Sequence, residues 1–249
     1  KHIDPLQVQK HWERLEHEYF LRHAVQTLAW HTREIVAAAV ADLPLVATRY
    51  LPESGGTEVL VYTPDRDDLF VILTGGLDRL NLSIVDARIH TTTFGFALDT
   101  FVILDHDNQP ITDAQQLARL RAQLREQLSN PRAGRDLKSA LLPRTLKHFP
   151  IKTRVGFDVA PNRLSTAMEV TAHDRPGLLY QVALALQHCR IRLVTAKVAT
   201  YGERAEDIFF ITARDDAPQL SDEQRTCLET EIGQRLDTTH GGGANEVTF

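Results

Sequence analysis

Apolar residues change their spacing several times along this chain, and each change marks an element. Leu6, Trp12, Leu15, Tyr19, Val25, Leu28 and Ala29 recur at mixed three- and four-residue steps with charges between them, the period of an amphipathic helix. The alanine-rich stretch from Ile35 to Val40 continues that tendency. Pro44, Pro52 and Ser54-Gly55-Gly56 break it. The pattern predicts a helical lead-in over 1–41, followed by a linker.

From Thr57 the period shortens. Thr57 to Thr63 reads as a strand, Asp67 to Leu80 as a helix, and Leu82 to Thr92 and Phe94 to Leu104 as two more strands. Thr112-Asp113-Ala114-Gln115 has the form of a capping box, and Leu117, Leu120, Leu124 and Leu128 share one face of the helix behind it. Phe149 to Val159 supplies a fourth strand. The order β-α-β-β-α-β is that of a ferredoxin-like unit, spanning 57–159.

A second unit spans 164–249. Leu164 to Thr171 reads as a strand, Pro176 to Cys189 as a helix, and Ile191 to Tyr201 and Asp207 to Ala213 as strands joined by a hairpin. Ser221-Asp222-Glu223-Gln224 opens a last helix. Only Glu246 to Phe249 remains to supply a final strand. The expected fold class is therefore α+β, two tandem ferredoxin-like βαββαβ units preceded by a helical segment.

The two units are copies of one pattern. Asp65-Arg66-Asp67-Asp68-Leu69-Phe70 and Asp174-Arg175-Pro176-Gly177-Leu178-Leu179 each follow an apolar strand, and they lie 109 residues apart. Leu77 then matches Leu186, Val85 matches Val194 and Thr91 matches Thr200. After a slip of one residue, Asp99, Phe101 and Ile103 match Asp207, Phe209 and Ile211. Agreement across strand, loop, helix and strand indicates a duplicated fold.

The second loop has the chemistry of an amino-acid site. Pro176 suits a helix start, where no hydrogen bond is lost. Gly177 permits close approach to the backbone. The N–H groups of Gly177, Leu178 and Leu179 would face an anion, while Asp174 could accept from an ammonium group. In the plainer reading Asp174 merely caps the helix, and on the loop alone both readings stand. In the first copy Asp67-Asp68 replaces Pro-Gly, which favours the helix dipole but repels a ligand carboxylate.

Composition narrows the function classes. The net charge of -5 offers no broad basic field for nucleic acid or anionic lipid. Apolar runs stay well short of the ~20 residues of a membrane helix. Phe101, Phe209 and Phe210 fall at core strand positions, not on an RNA-stacking face. His11, His17, His23 and His31 are spaced by six, six and eight residues, and none makes the i,i+4 pair of a helical metal site, so packing or solvation is expected of them. Cys189 and Cys227 match no metal or redox spacing and lie on apolar helix faces, which predicts buried free thiols. Arg132, Arg135, Lys138, Arg144 and Lys147 make 132–147 locally basic. The chain opens Lys1-His2-Ile3 without an initiator methionine or a visible secretory leader, so a piece of a longer, cytoplasmic protein is expected.

The Asp-Arg-Pro-Gly-Leu-Leu run at 174–179, with its helix and alternating strand, resembles the ACT domain, a ligand-sensing module of amino-acid metabolism. Ala196-Lys197-Val198-Ala199-Thr200-Tyr201-Gly202-Glu203-Arg204-Ala205-Glu206-Asp207-Ile208-Phe209-Phe210 is similar to the second ACT domain of the bacterial PII uridylyltransferase/uridylyl-removing enzyme family. Gly55-Gly56-Thr57-Glu58, Asn81 to Ala87 and Leu98-Asp99-Thr100-Phe101 resemble its first. Tyr19 to His23 and Leu28-Ala29-Trp30-His31 resemble the stretch leaving its HD phosphohydrolase domain.

The resemblance implies a regulatory region that senses L-glutamine and switches the parent between adding UMP to the signal protein PII and removing it. Mg2+ and UTP would belong to the parent's catalytic domains. This chain would hold no cofactor, no metal and no catalytic residue. It implies a ligand site of Asp174, Arg175, Gly177, Leu178 and Leu179 with Arg192 at the start of the next strand. A weaker second site would comprise Asp65, Asp68, Leu69 and Ser83. Arg192 departs from the small polar residue usual at that position. Pairing of exposed sheet edges would give a homodimer. The alternative is an interaction module that docks PII or the catalytic domains without binding a metabolite.

Overall fold

Asp4 accepts a hydrogen bond from the Leu6 N–H and Pro5 stands at the first helical position, so the chain enters a helix at once. The lead-in is three helices: α1 (Pro5–Trp12), α2 (His17–Arg22) and α3 (Val25–Ala37). In this computed structural model, residues 4–130, 151–160, 164–201, 203–215 and 217–237 are described. The first unit continues with β1 (Leu45–Leu51), β2 (Gly56–Pro64), α4 (Leu69–Arg79), β3 (Ser83–Arg88), β4 (Phe96–Leu104) and α5 (Ala114–Ser129). The second comprises β5 (Arg154–Val159), β6 (Thr166–His173), α6 (Leu178–His188), β7 (Ile191–Lys197), β8 (Thr200–Tyr201), β9 (Arg204–Ala213) and α7 (Asp222–Asp237).

Each unit is an antiparallel sheet with two helices on one face. The strand orders are β1-β2-β4-β3 and β5-β6-β9-β7, with β8 pairing β9. These are two ferredoxin-like sheets, and the expected fold class stands. The chain, however, enters each sheet one strand early. The segment between Pro44 and Pro52, expected as linker, is β1, paired in full with β2. The strand expected to close the first unit at 159 is β5, and it pairs with β6 of the second. Each unit therefore reads ββαββα: the edge strand comes from the N-terminal side and fills the place the last strand of βαββαβ would take. No closing strand from 246–249 is required, and that segment, like 132–147, lies outside the described residues.

Strand β2 shows why the units differ in layering. Val59 and Val61 face the core beneath the helices, while Leu60 and Tyr62 face a second cluster with Leu15, Tyr19, Trp30 and Ile35. Alternate residues of a strand point to opposite faces, so both faces of this strand are covered, and its sequence is accordingly an unbroken apolar run. In β6 buried residues alternate with more exposed ones, as expected of a sheet covered on one face.

The lead-in helices are fixed to the first sheet by a buried polar chain. Tyr19 Oη lies 2.6 Å from His31 Nδ1. His31 Nε2 lies 3.5 Å from Glu58 on β2. Arg49 on β1 donates to the same carboxylate and sits over the Trp30 ring at 4.4 Å. Burial pushes the His11 and His23 imidazoles down to about 4, which fits packing rather than solvation.

The cysteines correct an expectation. Cys189 and Cys227 form a disulfide across the paired helices α6 and α7, with Cα atoms 5.9 Å apart. The two apolar faces on which free thiols were expected are packed against each other, which brings the sulfurs together.

Candidate functional site

The two units lie side by side, with β3 along β7 and α4 against α6. This pseudo-symmetric junction places the loop opening each unit's first helix opposite the start of the strand that follows that helix in the other unit, β7 or β3. Two related cavities result. The larger, about 840 Å3, is lined by the whole Asp174–Leu179 loop together with Asn81, Leu82 and Ser83 of the first unit. The smaller, about 240 Å3, is lined by Asp65, Asp67 and Leu69 with Arg190 to Leu193 of the second.

The residues expected at the sites are thus regrouped. Arg192 stands with Asp65, not with Asp174: its guanidinium lies 3.4 Å from Asp65 Oδ2. Ser83 stands with Asp174, not with Asp65. The reason is geometric. The facing unit completes each cavity. Asp68, expected to be a ligand residue, forms an ion pair with Arg66 at 2.8 Å. Arg175 lines the larger cavity, but it also donates to the Arg235 carbonyl at the end of α7, as Arg66 does to Leu128 at the end of α5. These arginines tie each loop to a helix C-terminus, where a cation is favoured.

The backbone of the two loops carries the same plan. Asp65 N–H donates to Gly95 and Asp174 N–H to Glu203, each at 2.9 Å. The Leu69 and Leu178 N–H groups are taken by the carbonyls of Arg66 and Arg175, so Leu178, counted as a free donor, is already bonded. Neither helix has a side-chain cap. Asp174 is therefore not a helix cap. The helices open differently: Gly177 has φ +76°, whereas Asp68, at the matching position, has φ −100°. A Cβ on Gly177 would lie 2.9 Å from Asp78 Oδ1 of α4, so this position needs glycine both for its left-handed backbone and for its close approach.

Behind each loop lies a carboxylate that the sequence showed only as a matched position of the repeat. Asp99 and Asp207 are each 1% exposed. Asp99 lines the smaller cavity and Asp207 the larger. Each accepts one backbone N–H, from His90 at 3.3 Å and from Ala199 at 3.2 Å. Burial, with the nearby Asp174 charge, pushes the Asp207 carboxyl up to about 7. Burial likewise holds Asp99 well above the usual range, with Asp65 adding to the effect. The available signal was an acidic residue at an inward-facing strand position in both copies. Asp78, also buried and raised by desolvation, joins Asp174 and Asp207 in the larger cavity.

In the turn after β4, Asp105, His106 and Asp107 bring ligand atoms together, and His106 also lines the larger cavity. His106 and Asp107 are exposed, and exposed acidic turns commonly stand without an ion.

Known proteins resemble this chain in sequence. The family model described as "Uridylyltransferase GlnD fifth domain" matches residues 1–34. The bifunctional uridylyltransferase/uridylyl-removing enzyme of Pseudomonas putida (strain F1) is 38% identical over 99% of this chain and 28% of that protein. The enzyme of the same description from Pseudomonas fluorescens (strain Pf-5) is 37% identical over 95% of this chain and 27% of that protein. That from Stutzerimonas stutzeri (strain A1501) is 38% identical over 90% and 25%. Over nearly its whole length the chain is thus similar to part of these bifunctional uridylyltransferase/uridylyl-removing enzymes. It spans about a quarter of the length of these uridylyltransferase/uridylyl-removing relatives. Among solved structures, aspartate kinase from Synechocystis aligns over 74% of this chain and 28% of that chain, at 19% identity and a TM-score of 0.41; the fold assignment rests on the strand pairing above. No helix among the described residues is long and apolar enough to cross a membrane.

Proposed function

We propose that this chain is the glutamine-sensing regulatory region of a bifunctional enzyme that uridylylates and deuridylylates the signal protein PII. The observation that carries the reading is the larger cavity between the two units. It brings an uncapped helix start, a carboxylate at Asp174 and the polar residues Asn81 and Ser83 into one space. Its volume of about 840 Å3 falls within the roughly 300–1,000 Å3 range of small-molecule sites. A free amino acid is chemically matched to it, with its carboxylate toward α6 and its ammonium toward the aspartates.

The site bridges the two units, so a ligand there stabilises whichever relative placement it fits, and by no more than its difference in affinity for the two placements. The lead-in helices are fixed to the first sheet through Tyr19, His31 and Glu58. A change at the junction would move them as one body with that sheet, toward the catalytic domains that use Mg2+ and UTP. Calorimetric titration of the chain with L-glutamine, L-glutamate and L-asparagine tests the reading. Glutamine is expected to bind more tightly than either, and absence of binding by any of the three would refute it. A glutamine-independent pull-down of PII by the chain would favour the docking alternative.

A further inference from the structure

Within the larger cavity one group is unaccounted for. Asp207 is 1% exposed, and among the described residues its Oδ2 has no hydrogen-bond partner. A buried carboxylate oxygen left without a donor is costly. The charged and titratable groups lining this cavity are Asp78, His106, Asp174, Arg175, Tyr180 and Asp207 itself. Three of the six are carboxylic acids, and Arg175 is bonded to the end of α7. Among the described residues the lining thus holds more acid than cation, a surplus that a cationic ligand would match.

The smaller cavity shows what such a cation does. There the Arg192 guanidinium stands against Asp65, in a space whose wall includes Asp99. Asp65 and Asp99 are the counterparts of Asp174 and Asp207, and Arg192 is the counterpart of Ser83. Where one copy supplies its own cation, the other has only a hydroxymethyl group and more than three times the volume.

We propose that Asp207 is a ligand-recognition residue: with Asp174 it grips the α-ammonium of the amino acid, at the place where Arg192 serves the first copy. The inference rests on the amino-acid site under Proposed function and deepens it. It makes the primary ammonium, rather than the side chain, the feature that admits a ligand. The Asp207 carboxyl, pushed up to about 7, releases its proton to solvent as the ammonium arrives, and the carboxylate pairs with the cation.

The test is calorimetry on the whole 249-residue chain, with L-glutamine and with 4-carbamoylbutanoate, which is glutamine without its amine. The parent chain is expected to bind glutamine about 100-fold more tightly than the analogue, as for a charge-assisted contact in a buried site. Asp207→Asn is expected to lower glutamine affinity about 10- to 100-fold and to shrink that discrimination, with no fall in melting temperature. Ser83→Arg, which leaves both aspartates in place, is expected to abolish binding by supplying an internal cation. Undiminished glutamine affinity in Asp207→Asn or in Ser83→Arg, or equal binding of the two ligands by the parent chain, would overturn the inference and leave the glutamine site standing. Failure of the parent chain to bind any amino acid would overturn both.

Discussion

The two cavities are made from the same parts and differ at a few positions. In the larger, Pro176-Gly177 opens the helix with a left-handed residue, Ser83 faces the loop and, among the described residues, Asp174 has no ion pair like that of Asp65 with Arg192. In the smaller, Asp67-Asp68 opens the helix with φ −100° at Asp68, and Arg192 and Arg214 pair with Asp65 and Asp67. The scaffold of backbone bonds and buried carboxylates is nevertheless shared. The frame is thus shared by both copies, while a few side chains set how far each space is satisfied from within.

The largest expected effect comes from Asp207. Its folded state holds a proton up to about pH 7, while the unfolded chain releases it near 3.8. Its contribution to stability therefore falls as pH rises through that window, by up to about 4 kcal/mol at 1.36 kcal/mol per unit. Asp207→Asn removes the fall, so the variant should melt at a higher temperature than the parent at pH 8 and at a similar one near pH 4. Comparison at each pH is needed because His11 and His23, pushed down to about 4, make stability fall on acidification instead. A variant less stable than the parent at pH 8 would show that Asp207 is a structural partner after all.

Gly177→Ala should cost about 1–3 kcal/mol, since alanine resists φ +76° and its Cβ would press on Asp78. The matching change in the other copy, Asp68→Ala, removes a part-exposed pair with Arg66 and should cost about 0.5 kcal/mol or less. Chemical denaturation of the two variants measures the difference, and equal losses would erase the distinction drawn between the loops. Arg192→Ser has the smallest expected effect on stability, about 0–1 kcal/mol for a part-exposed ion pair. It gives the smaller cavity the serine of the larger one. A weaker second glutamine-binding event should then appear in calorimetry, and a trace unchanged from the parent would mean that Asp67-Asp68 alone excludes the ligand.

The duplicated plan was legible in the sequence because it lies in local order: strand, Asp-led loop, helix, strand. The bulges repeat as well, between Ile84 and Asp86 and between Leu193 and Thr195. What could not be read depends on contacts between distant segments. Leu45 to Leu51 looked like linker because Pro44 and Pro52 flank it, although its strand is fixed by pairing with Gly56 to Tyr62. Strand β5 was assigned by its nearness to the first unit, whereas the hydrogen bonds of β6 claim it. The cysteines lie 38 residues apart on two helices whose packing the pattern did not specify. The exchange of Ser83 and Arg192 between sites follows from the side-by-side placement of the units, which no spacing within either copy encodes. Asp99 and Asp207 were visible as a matched pair, but only their burial beside the cavities gives the match a chemical meaning.

The central claim is that the copies are unequal and that ligand enters at the Asp174 cavity alone. Calorimetric stoichiometry tests it most directly, by titrating L-glutamine into the parent chain, Asp174→Ala and Asp65→Ala. One glutamine per chain is predicted, with binding lost in Asp174→Ala and retained in Asp65→Ala. Two equivalent sites, or loss of binding in Asp65→Ala with retention in Asp174→Ala, would contradict it.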